Sequence, residues 1–120
     1  MATVSDYVAF GDGQVTLKIG GDIDQTYNFT VPGNINREQP ALLTWQFEAD
    51  GNPNNLKWNW RLNGSQVASY THGIDRFCAL QEIVSGTNLN AGNNTLTATV
   101  TGGSGQIKLS DIAVHFQVNV

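Results

Sequence analysis

Along most of the chain apolar residues return at every second position, not every third or fourth, which puts them on one face of an extended strand. The run "LKWNWRLNG", Leu56 to Gly64, is the clearest case. Leu56, Trp58, Trp60 and Leu62 share one face, and Lys57, Asn59 and Arg61 share the other. A half-buried strand therefore accounts for both tryptophans without a ligand. The same period places Val15, Leu17 and Ile19 together in "QVTLKI", Tyr27, Phe29 and Val31 in "TYNFTV", and Leu43, Trp45 and Phe47 in "LLTWQFE". Near the C-terminus Leu96, Ala98 and Val100 oppose a row of threonines, and Ile112, Val114, Phe116, Val118 and Val120 oppose Ala113, His115, Gln117 and Asn119.

Glycine- and asparagine-rich turns separate these runs: "GDG", "GGD", "PGN", "DGNPNN", "AGNN" and "GGSG". Asn63-Gly64 is the strongest hairpin signal, since both central residues of a type I′ turn take positive φ. Only "DRFCALQEIV", Asp75 to Val84, also fits a helical period, through Phe77, Leu80, Ile83 and Val84; a bulged strand fits it equally. The expected fold is all-β: a single antiparallel β-sandwich of jelly-roll type, with about eight or nine strands. At 120 residues the chain forms one domain spanning 1–120, with no linker or repeat.

Composition narrows the partners. Charged residues make up only 13% of the chain, so its polar surface is mostly uncharged, and the net charge is -4. The few Lys and Arg residues form no basic stripe, which argues against nucleic acid or an anionic membrane as partner. No stretch reaches the ~20 apolar residues of a membrane span. The N-terminal "MATVSDYVAF" lacks the basic and apolar regions of a secretion signal. The lone Cys78 reads as a small apolar core residue. The sequons at Asn28, Asn63 and Asn93 are what an Asn- and Thr-rich chain produces by chance.

Catalytic chemistry is sparse. There is no nucleophile elbow, no HExxH pattern and no phosphate-cradling glycine loop. Glu38, Glu48 and Glu82 lie far apart in sequence. The expectation is a protein that is not an enzyme. The segment "SYTHGIDR", read as a loop, gathers Tyr70, His72, Asp75 and Arg76, an aromatic face with planar polar groups of the kind that sugars use. These four are the expected ligand-binding residues, with the polar loop Asn36 to Gln39 a weaker candidate. Glycine-flanked carboxylates in "GGDID", Asp22 and Asp24, offer oxygen ligands for a hard cation, although the spacing is not that of an EF-hand.

Three segments, "WRLNGSQV", "LNAGNNTLTATV" and "IKLSDIAVHF", carry a resemblance to the galactose-binding-like jelly roll of carbohydrate-binding modules and glycoside hydrolase accessory domains. A strand ending in Leu-Asn-Gly, a Gly-Asn turn leading into a strand, and a last strand near an Asp are its shared features. The resemblance covers Trp58 to Phe116, and residues before Asp50 add no motif. It implies sugar binding, and a structural Ca2+ with Asp111 at the matching position. The expected function is a non-catalytic, lectin-like carbohydrate-binding module. The alternative is an assembly subunit that self-associates. A homo-oligomer is expected through the long, nearly uncharged C-terminal strand, read as an exposed edge.

Overall fold

The computed structural model describes residues 2–120. The strands are β1 (Thr3–Phe10), β2 (Val15–Leu17), β3 (Asp24–Val31), β4 (Ala41–Leu62), β5 (Ser65–His72), β6 (Arg76–Val84) and β7 (Gly92–Asn119). All pair antiparallel, and a 3-10 turn at Gly86–Asn88 is the only helical element among the described residues. None of those residues forms a helix long and apolar enough to cross a membrane.

Two long strands, β4 and β7, build both layers. Residues 56–62 of β4 lie between β5 and the first part of β7, whose other side holds β3. Residues 41–50 of β4 lie between β6 and the last part of β7, whose other side holds β1 and β2. The inner faces of the two layers meet through Trp45 against Trp58 and Trp60, Phe47 against Trp58, and Phe10 against Phe29. This is the expected β-sandwich. Counting the halves of β4 and β7 separately gives nine extended segments, within the eight or nine read from the sequence.

The crossing between layers depends on glycine. Residues 51–55 and 102–105 carry both long strands from one layer to the other, and their ladder shifts register there. A Cβ on Gly103 would overlap the Asn55 carbonyl, and one on Gly105 would sit 2.8 Å from Pro53 Cα. Both glycines also take positive φ, 85° and 96°, which costs a residue with a side chain about 1–2 kcal/mol.

Leu56, Trp58, Trp60 and Leu62 are all at most 2% exposed, so the tryptophans of the opening run are core. Trp45 meets Trp58 and Trp60 edge-on, the arrangement in which a positive ring edge faces a negative ring face. The Trp45 and Trp60 indole N–H groups are buried in this cluster without an oxygen or nitrogen acceptor. The turn at Asn63-Gly64 has φ of 51° and 85°, as its type requires. Asn63 also fastens the turn to the other strands: its amide donates to Asn88 O and Asn94 Oδ1, and its Oδ1 accepts from Thr95 N.

Three expectations are corrected. Residues 76–84 are neither helix nor bulged strand, because β6 pairs with β4 in unbroken register from Ala41 opposite Val84 to Ala49 opposite Arg76. Period two wins since Cys78, Leu80 and Val84 all face the core. The segment from Ser69 is not a loop. Tyr70 and His72 belong to β5, and only residues 73–75 connect it to β6. The C-terminal strand is not an edge either, for β7 is flanked by β1 and β4 along its last part, so pairing through it is blocked.

Candidate functional site

The four residues expected to bind ligand sit where the sandwich opens between its edge strands β5 and β6. On β5, Tyr70 lies opposite Trp58 and His72 opposite Leu56, so both side chains face inward. The Tyr70 hydroxyl donates to Glu82 Oε1 on β6 at 2.6 Å, which ties one layer to the other. Burial, with the Glu82 carboxylate beside it, pushes the Tyr70 phenol well above its ordinary range. His72 Nε2 accepts from the Trp58 indole at 2.9 Å, and its ring lies 4.8 Å from that of Phe47. Burial, helped by the Arg76 charge, holds His72 below its ordinary range. Asp75 and Arg76 are exposed. The structure thus splits the set: Tyr70 and His72 point inward between the layers, and Asp75 and Arg76 face solvent.

The three carboxylates expected to hold Ca2+ are not gathered. Asp22 lies in the β2–β3 turn, and Asp24 pairs with Thr99 on the first part of β7. Asp111 interrupts the last part of that strand with φ of 51° and donates its N–H to Gly11 O. Among the described residues no three His, Cys, Asp or Glu side chains converge as metal ligands.

A better site lies on the outward face of the second layer. The register puts Phe77, Glu48 and Lys108 in one row, Ala79, Gln46 and Ser110 in the next, then Gln81, Thr44 and Ala113, and lastly Ile83, Leu42, His115 and Tyr7. A cleft of about 330 Å³ runs among Gln14, Gln46, Glu48, Phe77, Lys108 and Asp111. It continues through Gln46 and Asp111 into a second, of about 530 Å³, beside Thr44, Ala79 and Gln81. Phe77 is 80% exposed at one end of this groove. One row beyond the second cleft, Tyr7, 63% exposed, stacks on His115 at 5.6 Å.

Polar groups in the first cleft are held in place. Lys108 Nζ is 2.9 Å from Asp50 Oδ2 and 3.8 Å from Glu48 Oε2, and Gln106 donates to Asp50 Oδ1 at 2.7 Å. These two donors, Lys108 before Gln106, keep the Asp50 carboxyl below its usual range. The result is an anchored ammonium beside an exposed aromatic ring. The outward face of the first layer also has a cleft, of about 400 Å³, but its lining is Asn and Thr around a buried Phe29, without an exposed ring.

Sequence reading missed Phe77, Gln46, Glu48 and Lys108, and placed Asp111 in another role. The signal was present in part. Once residues 76–84 are read as a strand, its alternation turns Phe77 outward, against the usual preference of such a ring for the core.

No protein-family model matches the sequence, and no curated protein resembles it in sequence. Solved structures do share its fold. Dimeric latent PorU from Porphyromonas gingivalis matches 99% of this chain with a TM-score of 0.79 at 12% identity. A family 35 carbohydrate-binding module from an environmental isolate matches 76% with a TM-score of 0.57 at 11% identity. The CBM36-1 domain of a multidomain xylanase, from the hindgut metagenome of Trinervitermes trinervoides, matches 98% with a TM-score of 0.53 at 14% identity. The chain spans 13% of PorU, 64% of the family 35 module and 100% of the CBM36-1 domain. The chain has a β-sandwich fold like that of carbohydrate-binding modules.

Proposed function

We propose that this domain is a non-catalytic carbohydrate-binding module whose ligand lies along the outward face of the second layer. One observation carries the reading: Phe77 stands 80% exposed on a strand, beside a cleft lined by Gln14, Gln46, Glu48 and Lys108. An exposed aromatic face covers the C–H face of a sugar ring, and amides, a carboxylate and an ammonium exchange hydrogen bonds with its hydroxyls. The Tyr7–His115 stack gives a second platform further along, which suits an extended chain of sugars more than a single one. Asp75 and Arg76 immediately precede Phe77 and supply charged contacts at that end, while Tyr70 and His72 support the edge from within. The structural likeness to carbohydrate-binding modules supports the same reading.

The experiment is a glycan array followed by titration of the best ligand against wild type and Phe77→Ala, with melting curves alongside. Loss of at least tenfold in affinity at an unchanged melting temperature is expected. Unchanged affinity would remove the groove from the account.

A further inference from the structure

We infer that β6 is the seam of a homodimer, in which two copies pair antiparallel along this strand and join their second layers into one sheet. β6 pairs with β4 on one side only, and among the described residues no strand lies against its other edge. A free edge is a template for another strand unless something blunts it. The remaining edges offer less to a partner: β1 turns Asp6 toward the inner face opposite Phe116, β2 is three residues long, β3 turns only the polar Asp24, Thr26, Asn28 and Thr30 outward, and the ladder of β5 with β4 is broken between Trp60 and Arg61. β6 keeps its register and is free of charge, proline and glycine from Phe77 to Gln81.

The side chains choose the occupant. Phe77 and Ile83, 80% and 72% exposed, both point outward from this strand, and Cys78 and Leu80 on its inner face are only half-buried. A two-fold axis at Leu80 sets Phe77 beside Ile83 of the second copy on the same sheet face, and the reverse, so that two apolar side-by-side pairs form across the seam while the outward ring faces stay free. The same axis puts Arg76 diagonal to Glu82 of the second copy, matching opposite charges at both ends. A second copy of this strand supplies that self-complementary order. The groove stays open, because strands pair edge to edge and leave the sheet face free.

Sedimentation equilibrium without glycan tests this over micromolar to millimolar concentrations. The expected result is a rise from the 13.0 kDa monomer toward twice that mass. Ile83→Lys and, separately, Ala79→Lys should keep the melting temperature of the dilute protein and hold it monomeric at every concentration. In a Cys78→Ser background, Leu80→Cys should cross-link on oxidation, because the axis brings the two copies of that position together. Wild type that stays monomeric at millimolar concentration overturns the inference. So does a dimer that survives both lysine variants, since it must form elsewhere. Glycan binding is not involved, so failure of the proposed function leaves these readouts intact.

Discussion

Trp58 donates its indole N–H to His72 Nε2 at 2.9 Å, which fixes His72 as an acceptor and therefore as the neutral imidazole. Protonation at Nε2 removes the acceptor and places a cation in a half-buried site beside Arg76. The folded state thus holds His72 below its unfolded value of about 6.5. Between those two values the unfolded chain binds more protons, so stability is fully present above about pH 6.5 and declines as pH falls toward the folded value. Melting temperature should drop between pH 7.5 and 5.5. His72→Gln, whose amide oxygen can take the same hydrogen bond, should flatten that dependence. Asp50, also depressed, acts only below its ordinary carboxyl range and does not overlap this window. A profile equally steep in His72→Gln would assign the effect to another group.

Trp60→Ala should destabilise the fold by about 3–5 kcal/mol, through lost burial and the cavity left behind. Trp60 is 0% exposed and packs edge-on against Trp45 and Trp58, so little nearby can collapse into the space. Chemical denaturation checks this. A variant of wild-type stability would mean that the aromatic cluster repacks.

The burial of Trp60 was legible in the sequence, because alternation alone assigns Leu56, Trp58, Trp60 and Leu62 to one face. The hairpin at Asn63-Gly64 was legible for a similar reason, since φ is a local property. The failures share one cause: a strand's place in the sheet is set by partners far along the chain. Nothing local in "IAVHFQVNV" says that β1 will cover it, and in β1 itself Asp6 breaks the alternation of Val4, Val8 and Phe10. The site suffered likewise. Phe77, Gln46 and Lys108 come from three strands, and only the register brings them into one groove.

Tyr70 gives a prediction opposite to its loop reading, under which truncation would cost little stability. Its ring packs against Trp45 and Trp58, and its hydroxyl reaches Glu82 across the open side of the sandwich. Tyr70→Phe should cost about 1–2 kcal/mol by leaving a half-buried carboxylate without its donor. Tyr70→Ala should cost more, about 3 kcal/mol, as packing is lost too. Denaturant unfolding of both variants separates the two contributions. Wild-type stability in Tyr70→Phe would show that the link between the layers contributes nothing.

The adjacent glycines 102 and 103 make a sharper comparison. Gly102 has ordinary φ and open space where a Cβ would go, so Gly102→Ala should leave stability within about 0.5 kcal/mol of wild type. Gly103 has φ of 85°, and its Cβ would overlap the Asn55 carbonyl at the crossing of β4 and β7. Gly103→Ala therefore adds a backbone penalty of about 1–2 kcal/mol to a clash costing about 1–3 kcal/mol. Unfolding curves should place the two variants at least about 1.5 kcal/mol apart. The consequence reaches the groove as well. The crossing hands β4 and β7 from one layer to the other and sets the offset that aligns Glu48 with Lys108. Gly103→Ala protein that still folds should bind the array's best glycan more weakly than Gly102→Ala, and matching stabilities for the two would show that the bends yield.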